Sequence, residues 1–207
     1  MANEYITTDD AVSYLGVNQE NAAMVTDTVE AVSRLIDNYV GDHFWQTEAS
    51  TARTFEPDHA GILRFGPFNP LLTLVSIKHD TAGDLTFATT LTSSQYRLFP
   101  LNPAAAPESR PYRGFETVNY SLTLHTINAR PVVRQVEVTG TWGWSAVPAG
   151  VKAACRLQVA RVFKRQDSPL GVAGMGDFGA VRVPSKLDPD VRQLLDPYRQ
   201  GDHMAVA

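Results

Sequence analysis

The sequence is short of cysteine, of long apolar runs and of net charge, and each shortage narrows what the chain can be. Its one cysteine, Cys155, cannot close an internal disulfide and leaves no cysteine framework for a structural metal, which fits a reducing compartment. No stretch approaches the roughly 18 apolar residues that cross a bilayer, and the opening MANEYITTDD lacks the basic region and apolar core of a secretory leader. The expectation is a soluble protein made in the cytoplasm, with no membrane partner. Lys and Arg number 18 against 22 Asp and Glu, a net charge of -4, which argues against a general cationic nucleic-acid binder. Catalytic signatures are missing too: the sequence contains no HExxH, CxxC, GxSxG or GxxxxGK[ST]. No catalytic, cofactor or metal site is therefore expected.

What is present is a globular composition. With 207 residues, 43% of them hydrophobic, the chain is long enough to bury its own core without covalent staples. Thr7-Thr8-Asp9-Asp10 ahead of Ala11 to Leu15 and Gly16 reads as a capped, glycine-terminated short helix. From Asn21 to about Gly41, Ala22, Val25, Val29, Val32, Ile36 and Tyr39 recur at alternating spacings of three and four, an amphipathic helix. Beyond Trp45 short apolar runs alternate with turn residues, which predicts strands at Ala52 to Glu56, Ile62 to Phe65, Leu72 to His79, Leu85 to Ala88, Tyr96 to Phe99, Val118 to His125 and Val133 to Thr141. Pro100 to Pro111 carries too many prolines for a sheet and reads as a loop.

Helical character returns at Pro148 and runs to about Arg165, with Val151, Ala154, Cys155, Val159, Val162 and Phe163 on the apolar face. Asp167 to Gly179 holds Gly171, Gly174, Gly176 and Gly179 and almost no apolar periodicity, so it reads as a flexible tether. Asp188 then caps a last helix with Pro189 at its first position, and Val191, Leu194, Leu195 and Tyr198 form a stripe at i, i+3, i+4 and i+7. A helix so short is unstable alone and must dock, on its own domain or on a partner. The fold class expected is α+β: a helical core from the N- and C-terminal helices with a large β-rich insertion. The boundaries read as 1–50 for the first helices, 51–147 for the insertion, 148–166 for the returning helix, 167–187 for the tether and 188–207 for the docking helix and tail.

Residues with chemical potential have plainer uses. Asp42-His43, Asp58-His59, His79-Asp80 and Asp202-His203 are adjacent pairs, which do not chelate from a strand; His59 and His79 read as exposed turn residues and His43 as a helix-end residue. Lys152, Arg156, Arg161, Lys164 and Arg165 border the apolar stripe of their helix as flanking charges, with salt bridges between subunits as the next reading. Trp142 and Trp144, flanking Gly143, fit a core anchor at a strand-to-helix corner, or an interface hot spot. Cys155 reads as a small core residue without an activating neighbour. The glycines of Gly171-Val172-Ala173-Gly174-Met175-Gly176 stand in the wrong order, and after a helix, for a dinucleotide loop.

The order of elements carries more than any motif. With Tyr5-Ile6-Thr7-Thr8, Phe68-Asn69-Pro70-Leu71-Leu72, Tyr96-Arg97-Leu98-Phe99-Pro100, Val138-Thr139-Gly140-Thr141-Trp142-Gly143-Trp144, Val147-Pro148, Val162-Phe163-Lys164-Arg165, Ser168-Pro169-Leu170-Gly171-Val172, Phe178-Gly179 and Asp188-Pro189-Asp190-Val191, the chain resembles the head-tail connector (adaptor, or head-completion) proteins of long-tailed bacteriophages. The likeness runs from about residue 5 to 199, with a middle region larger than in the mostly helical members. The resemblance implies a structural virion protein: a ring, typically of twelve copies, under the portal at the head-tail junction, extending the DNA channel toward the tail. The partners it implies are further copies of the chain, the portal protein, a downstream stopper or tail protein, and duplex DNA passing without sequence-specific binding. On this chain it assigns portal contact to Val191, Leu194, Leu195, Tyr198 and Arg199, and flexibility to Gly171, Gly174, Gly176 and Gly179. The competing readings are a monomeric protein-binding module and a hydrolase using Asp and His residues of the β-rich middle.

Overall fold

The first helix starts where its cap is: the Thr7 hydroxyl accepts the Asp10 N–H at 3.1 Å, and α1 (Thr8–Leu15) runs from there to Gly16. The computed structural model describes residues 3–58, 61–105, 109–122, 125–127, 130–132, 135–166, 172–174, 180–182 and 187–199. The chain divides into two units, Met1–Phe44 with Val147–Ala207, and Trp45–Ala146. The helical ends thus form one body and the strand-rich middle another.

In the helical unit a single 3-10 turn, Gln19–Asn21, leads into α2 (Ala22–Val40), which turns Val25, Val29, Val32, Ile36 and Val40 inward. The returning helix α3 (Ala149–Gln166) meets it with Val151, Ala154, Cys155 and Val159, all fully or almost fully buried. Helices α1, α2 and α3 pack against one another, and α4 (Pro189–Leu195) packs on α3. The predicted helices agree with these to within a residue or two; Val162 and Phe163 are only half-buried at the end of α3.

The strand-rich unit contains β1 (Thr51–Phe55), β2 (Ile62–Arg64), β3 (Leu71–His79), β4 (Thr89–Thr90), β5 (Tyr96–Phe99), β6 (Gly114–Thr117), β7 (His125–Ile127), β8 (Arg130–Val132) and β9 (Val136–Trp142). They pair antiparallel as β1-β9-β3-β4, β2-β6-β5 and β7-β8. Along β9 burial alternates strictly, with Val136, Val138, Gly140 and Trp142 facing inward, as a strand with one covered face requires. Leu63 and Phe115 from the second sheet join Leu71, Ile77, Val136, Val138 and Trp142 from the first in one core. The strand ends in Gly143 at φ 116, where a β-carbon would lie 1.9 Å from the Trp45 carbonyl oxygen, so only glycine fits the turn.

Four expectations are corrected. Leu85 to Ala88 is no strand despite its alternating Leu85 and Phe87: both have positive φ (62 and 48), because the Asp80 carboxylate holds the N–H groups of Gly83, Asp84 and Leu85 in a tight loop. The strand expected over Val118 to His125 lies earlier, as β6, and the chain turns at Asn119 with φ 52. His79 is buried rather than an exposed turn residue, its Nδ1 within 2.9 Å of the Tyr120 hydroxyl. The glycine-rich segment contains a two-stranded pair, β10 (Val172–Gly174) with β11 (Ala180–Arg182), where no regular structure was expected. Gly171, Gly176 and Gly179, together with His59, Asp202 and His203, lie outside the described residues.

Candidate interaction surface of the helical unit

Helix α4 forms for the reasons its sequence gives, and then is held on its own unit. The Asp188 side chain accepts the Asp190 N–H at 2.9 Å, Pro189 follows, and Arg192 closes the first turn onto the Asp188 carbonyl at 2.9 Å. Val191 and Leu195 are fully buried, Leu194 and Tyr198 are half-buried, and Arg199 is exposed. Asp188 makes an ion pair with Arg161 of α3, and the Asp196 carboxylate accepts the Tyr39 hydroxyl at 2.7 Å. The Tyr198 ring stands edge-on to Phe44 at 5.6 Å, and the Arg199 guanidinium lies 5.2 Å from the Tyr39 ring. At Gly150 an added β-carbon would come within 3.3 Å of the Tyr198 hydroxyl, so the missing side chain on α3 makes room for this docking. The stripe Val191, Leu194, Leu195 and Tyr198 is therefore turned largely inward, with Val191 and Leu195 its fully buried members.

A buried polar group that no motif announced ties the rest of the unit together. The Tyr5 hydroxyl donates to the Asp37 carboxylate and accepts the Phe44 N–H at 3.0 Å, while the Tyr5 N–H donates to the Ser33 hydroxyl at 3.2 Å. Arg34 reaches Asp37 at 3.3 Å and the Asn3 carbonyl at 2.6 Å. Burial raises the Asp37 pKa above the ordinary carboxylate value, against the lowering effects of the Tyr5 hydrogen bond and Arg34; burial and Asp37 together raise that of Tyr5. The Cys155 thiol, buried in the same core, is pushed up to about 12 by desolvation, which leaves it inert. Of the α3 cations, Arg156 grips Asp10 through two hydrogen bonds of 2.9 and 3.0 Å and Arg161 pairs with Asp188, so both bind within the chain.

Three features of this unit are turned to solvent. A cleft of about 350 Å³ is lined by Tyr14, Leu157, Ala160 and Lys164, with the Arg161–Asp188 pair and Asp190 at its side. Tyr14 is 50% exposed and Leu157 39%. On α2, Met24 (45% exposed) and Leu35 (39%) stand outside the buried face. Sequence reading passed over all four because it followed the apolar stripes and did not ask which large apolar residues fell off them. A larger cleft, of about 530 Å³, runs past Tyr5, Thr7, Asp10, Lys152 and Arg156.

In the strand-rich unit the aromatic residues serve packing. The Trp142 ring is buried, its indole N–H donates to the Thr51 carbonyl at 3.0 Å, and the Arg53 guanidinium lies 4.5 Å from the ring. Trp142 is thus a core anchor, and Trp144 is buried as well. Burial would raise the Asp80 carboxyl, but the backbone N–H donors of Leu85, Gly83, Asp84 and Ala82 outweigh it and hold the group below its ordinary value. Among the described residues no group of three His, Cys, Asp or Glu is placed to hold a metal ion, and no described helix is long and apolar enough to cross a membrane.

The whole-chain architecture has counterparts among solved structures. A chain from the neck of an empty gene transfer agent particle, computed with C6 symmetry, superposes with a TM-score of 0.57 at 14% identity, covering 98% of this chain and 93% of its own. A chain from the neck of the native particle, computed with C12 symmetry, gives 0.52 at 16% identity over 100% and 98%; one from the native virion gives 0.51 at 17% over 98% and 93%. This chain has the fold of gene transfer agent neck chains. No family model and no curated protein matches the sequence. At such identities the likeness lies in the order and packing of elements, the level at which the sequence resembles the head-tail connectors. The neck fold also accounts for the strand-rich middle as part of the architecture, since the superposition spans both units.

Proposed function

We propose that the chain is a structural, non-enzymatic virion protein of the head-tail junction, assembling as a ring of about twelve copies that binds the portal and extends the DNA channel toward the tail. The observation that carries this reading is the full-length fold match to a chain in a neck computed with C12 symmetry. The net charge of -4 is consistent with a bore that lets duplex DNA slide, because a strongly basic lining would hold phosphates by releasing their counterions. Portal contact is placed on the outer side of α4, at Leu194, Tyr198 and Arg199, with Val191 and Leu195 holding the helix in place. Of the four glycines read as a tether, Gly174 is paired in β10. The opposite side of the ring then meets a stopper or tail protein.

Light scattering over a concentration series, alone and with purified portal rings, followed by electron microscopy of the heaviest fraction, tests the reading. Rings of about twelve copies with a bore wide enough for duplex DNA, whose grooves set its width, are the expected result. A chain that stays monomeric and leaves the portal unbound would overturn it in favour of a monomeric binding module.

A further inference from the structure

The four-stranded sheet ends on one side in β1, and that edge carries no further strand among the described residues. The direction of its backbone groups follows from β9. Trp142 turns both its N–H and its C=O to Thr47, on the β1 side, whereas the Gln135 carbonyl accepts the Asp80 N–H on the β3 side. The alternation of an antiparallel ladder then directs Val136, Val138 and Gly140 to β1, where they face Phe55, Arg53 and Thr51. Ala52 and Thr54 are left with their N–H and C=O groups pointing away from the sheet, and both residues are exposed. Native edges carry blocks against pairing with another chain: a proline, a bulge, a charge, shortness or a cover. The other edges of the two larger sheets have them. β3 is bulged twice and covered at its ends by β4 and by Tyr112, β5 carries Arg97 and runs into Pro100, and β4 and β2 have only two and three residues. β1 has five residues, no bulge and no proline. Its single charge, Arg53, is tied to the Phe68 carbonyl, the Asn69 side chain and the Trp142 ring of its own unit.

A second element lacks the other half of such a pairing. β10 and β11 form a two-stranded sheet of three residues a side, with no third strand among the described residues, and a hairpin that small is not stable on its own. Five residues of sequence separate it from α3 and six from α4, which at about 3.3–3.6 Å per residue lets it stand about 16–18 Å off the helices. The other isolated hairpin, β7 with β8, is three residues from β9 and carries Pro131, so it is confined to its own unit with one strand unable to donate fully.

We propose that the β10–β11 hairpin of one copy adds to the β1 edge of the next, so that each sheet is extended by a neighbour's strands. The proposal rests on the ring-forming reading and names the contact that would build the ring. Outward N–H and C=O groups select an extended strand as the occupant, because only such a strand answers both at the spacing of Ala52 and Thr54. That strand is not β1 itself. A β1–β1 contact is two-fold and stops at two copies, and centring it sets Arg53 opposite its own counterpart; hairpin on edge is heterologous and repeats until a rotation closes it. Nor is it the chain's own hairpin, which is not paired with β1. Charge agrees with the pairing: Glu48 and Glu56, flanking β1, are exposed and make no ion pair among the described residues, and the one charged residue in β10 and β11 is Arg182.

Cross-linking of the full chain tests the contact, since its own thiol, Cys155, is buried. Thr54→Cys in one batch, and Ala173→Cys or Val181→Cys in another, are mixed, alone and on portal rings, and treated with a short bis-maleimide. The expected product is a two-chain species holding one chain of each batch, formed in the mixture and in neither batch by itself. A chain carrying Thr54→Cys and Val181→Cys together is expected to link into a ladder of two, three and more chains. Thr54→Cys linking to itself, links confined within single chains, or no link in a mixture that assembles overturns the proposal while the ring reading stands. Thr54→Pro gives a second measurement: it removes an outward N–H and leaves the ladder to β9, so tryptophan fluorescence is expected unchanged while the scattering mass falls to one chain. A folded Thr54→Pro variant that assembles like the unaltered protein also overturns the proposal. An unaltered protein that is monomeric both alone and with portal overturns the ring reading and this inference together.

Discussion

At the scale of single residues the two units are set by buried carboxylates of opposite behaviour. Asp37 sits under Tyr5 and Arg34 with its pKa raised by burial, so the stability it confers is present below the ordinary carboxylate pKa and is lost as pH rises through the raised value. Asp80 is held below its ordinary value by four backbone N–H groups, so its contribution is present above the ordinary pKa and is lost as pH falls through the lowered one. All three tryptophans, Trp45, Trp142 and Trp144, belong to the strand-rich unit, so their fluorescence reports that unit alone while circular dichroism of the helices reports the other. Urea unfolding across pH is expected to show Asp37→Asn flattening the rise toward mild acid in the helical signal. Asp80→Asn is expected to flatten the loss in stronger acid in the fluorescence signal. The same slopes in variant and parent would show that neither carboxylate is linked to folding. Neither role was legible in the sequence: no motif marks Asp37, and His79, next to Asp80, reads as an exposed turn residue. Asp37 is met by Tyr5 from far along the chain, whereas Asp80 is held by the backbone of the loop that directly follows it.

At the scale of elements, what could be read and what could not follow from periodicity. The helices α1 to α4 were legible because caps and three-four spacing are local: Thr7, Gly16, Gly41, Asp188 and Pro189 mark ends with side chains or glycines in the sequence itself. Strands were legible where apolar alternation and pairing agreed, as at Tyr96–Phe99, and misread where alternation was accidental, as at Leu85 and Phe87. The last helix shows the limit most clearly. Its stripe predicted that it docks, and only packing showed that Val191 and Leu195 dock on α3 of the same unit. Leu195→Ala is accordingly expected to cost about 2–5 kcal/mol of the helical unit's stability in urea, as buried leucines do, whereas Leu194→Ala costs clearly less. Equal costs for the two would mean that the half-buried Leu194 carries as much of the seat as Leu195.

At the scale of the whole molecule, the α+β architecture with helices from both chain ends was legible because it needs only the order of elements, and the neck-chain superpositions agree with it end to end. The pairing order of the sheets was not legible, since β9 comes last in the strand-rich unit yet sits between β1 and β3, and no local signal specifies a neighbour so distant. The strand-rich unit has its own core and its own closure: the Thr47 N–H donates to the Trp142 carbonyl at 2.8 Å, and the Trp142 N–H returns to the Thr47 hydroxyl at 2.9 Å. A fragment spanning Trp45–Ala146 is therefore expected to fold alone, with the same urea midpoint by tryptophan fluorescence as the full chain. A lower midpoint would show that it leans on the helical unit. The clasp between Thr47 and Trp142 also has a meaning for lineage. Because the chain leaves and rejoins at nearly one point, the middle is built as a cassette: its length and surface can be exchanged without rethreading the helices, so the strand-rich unit can diverge while the helical unit stays the same.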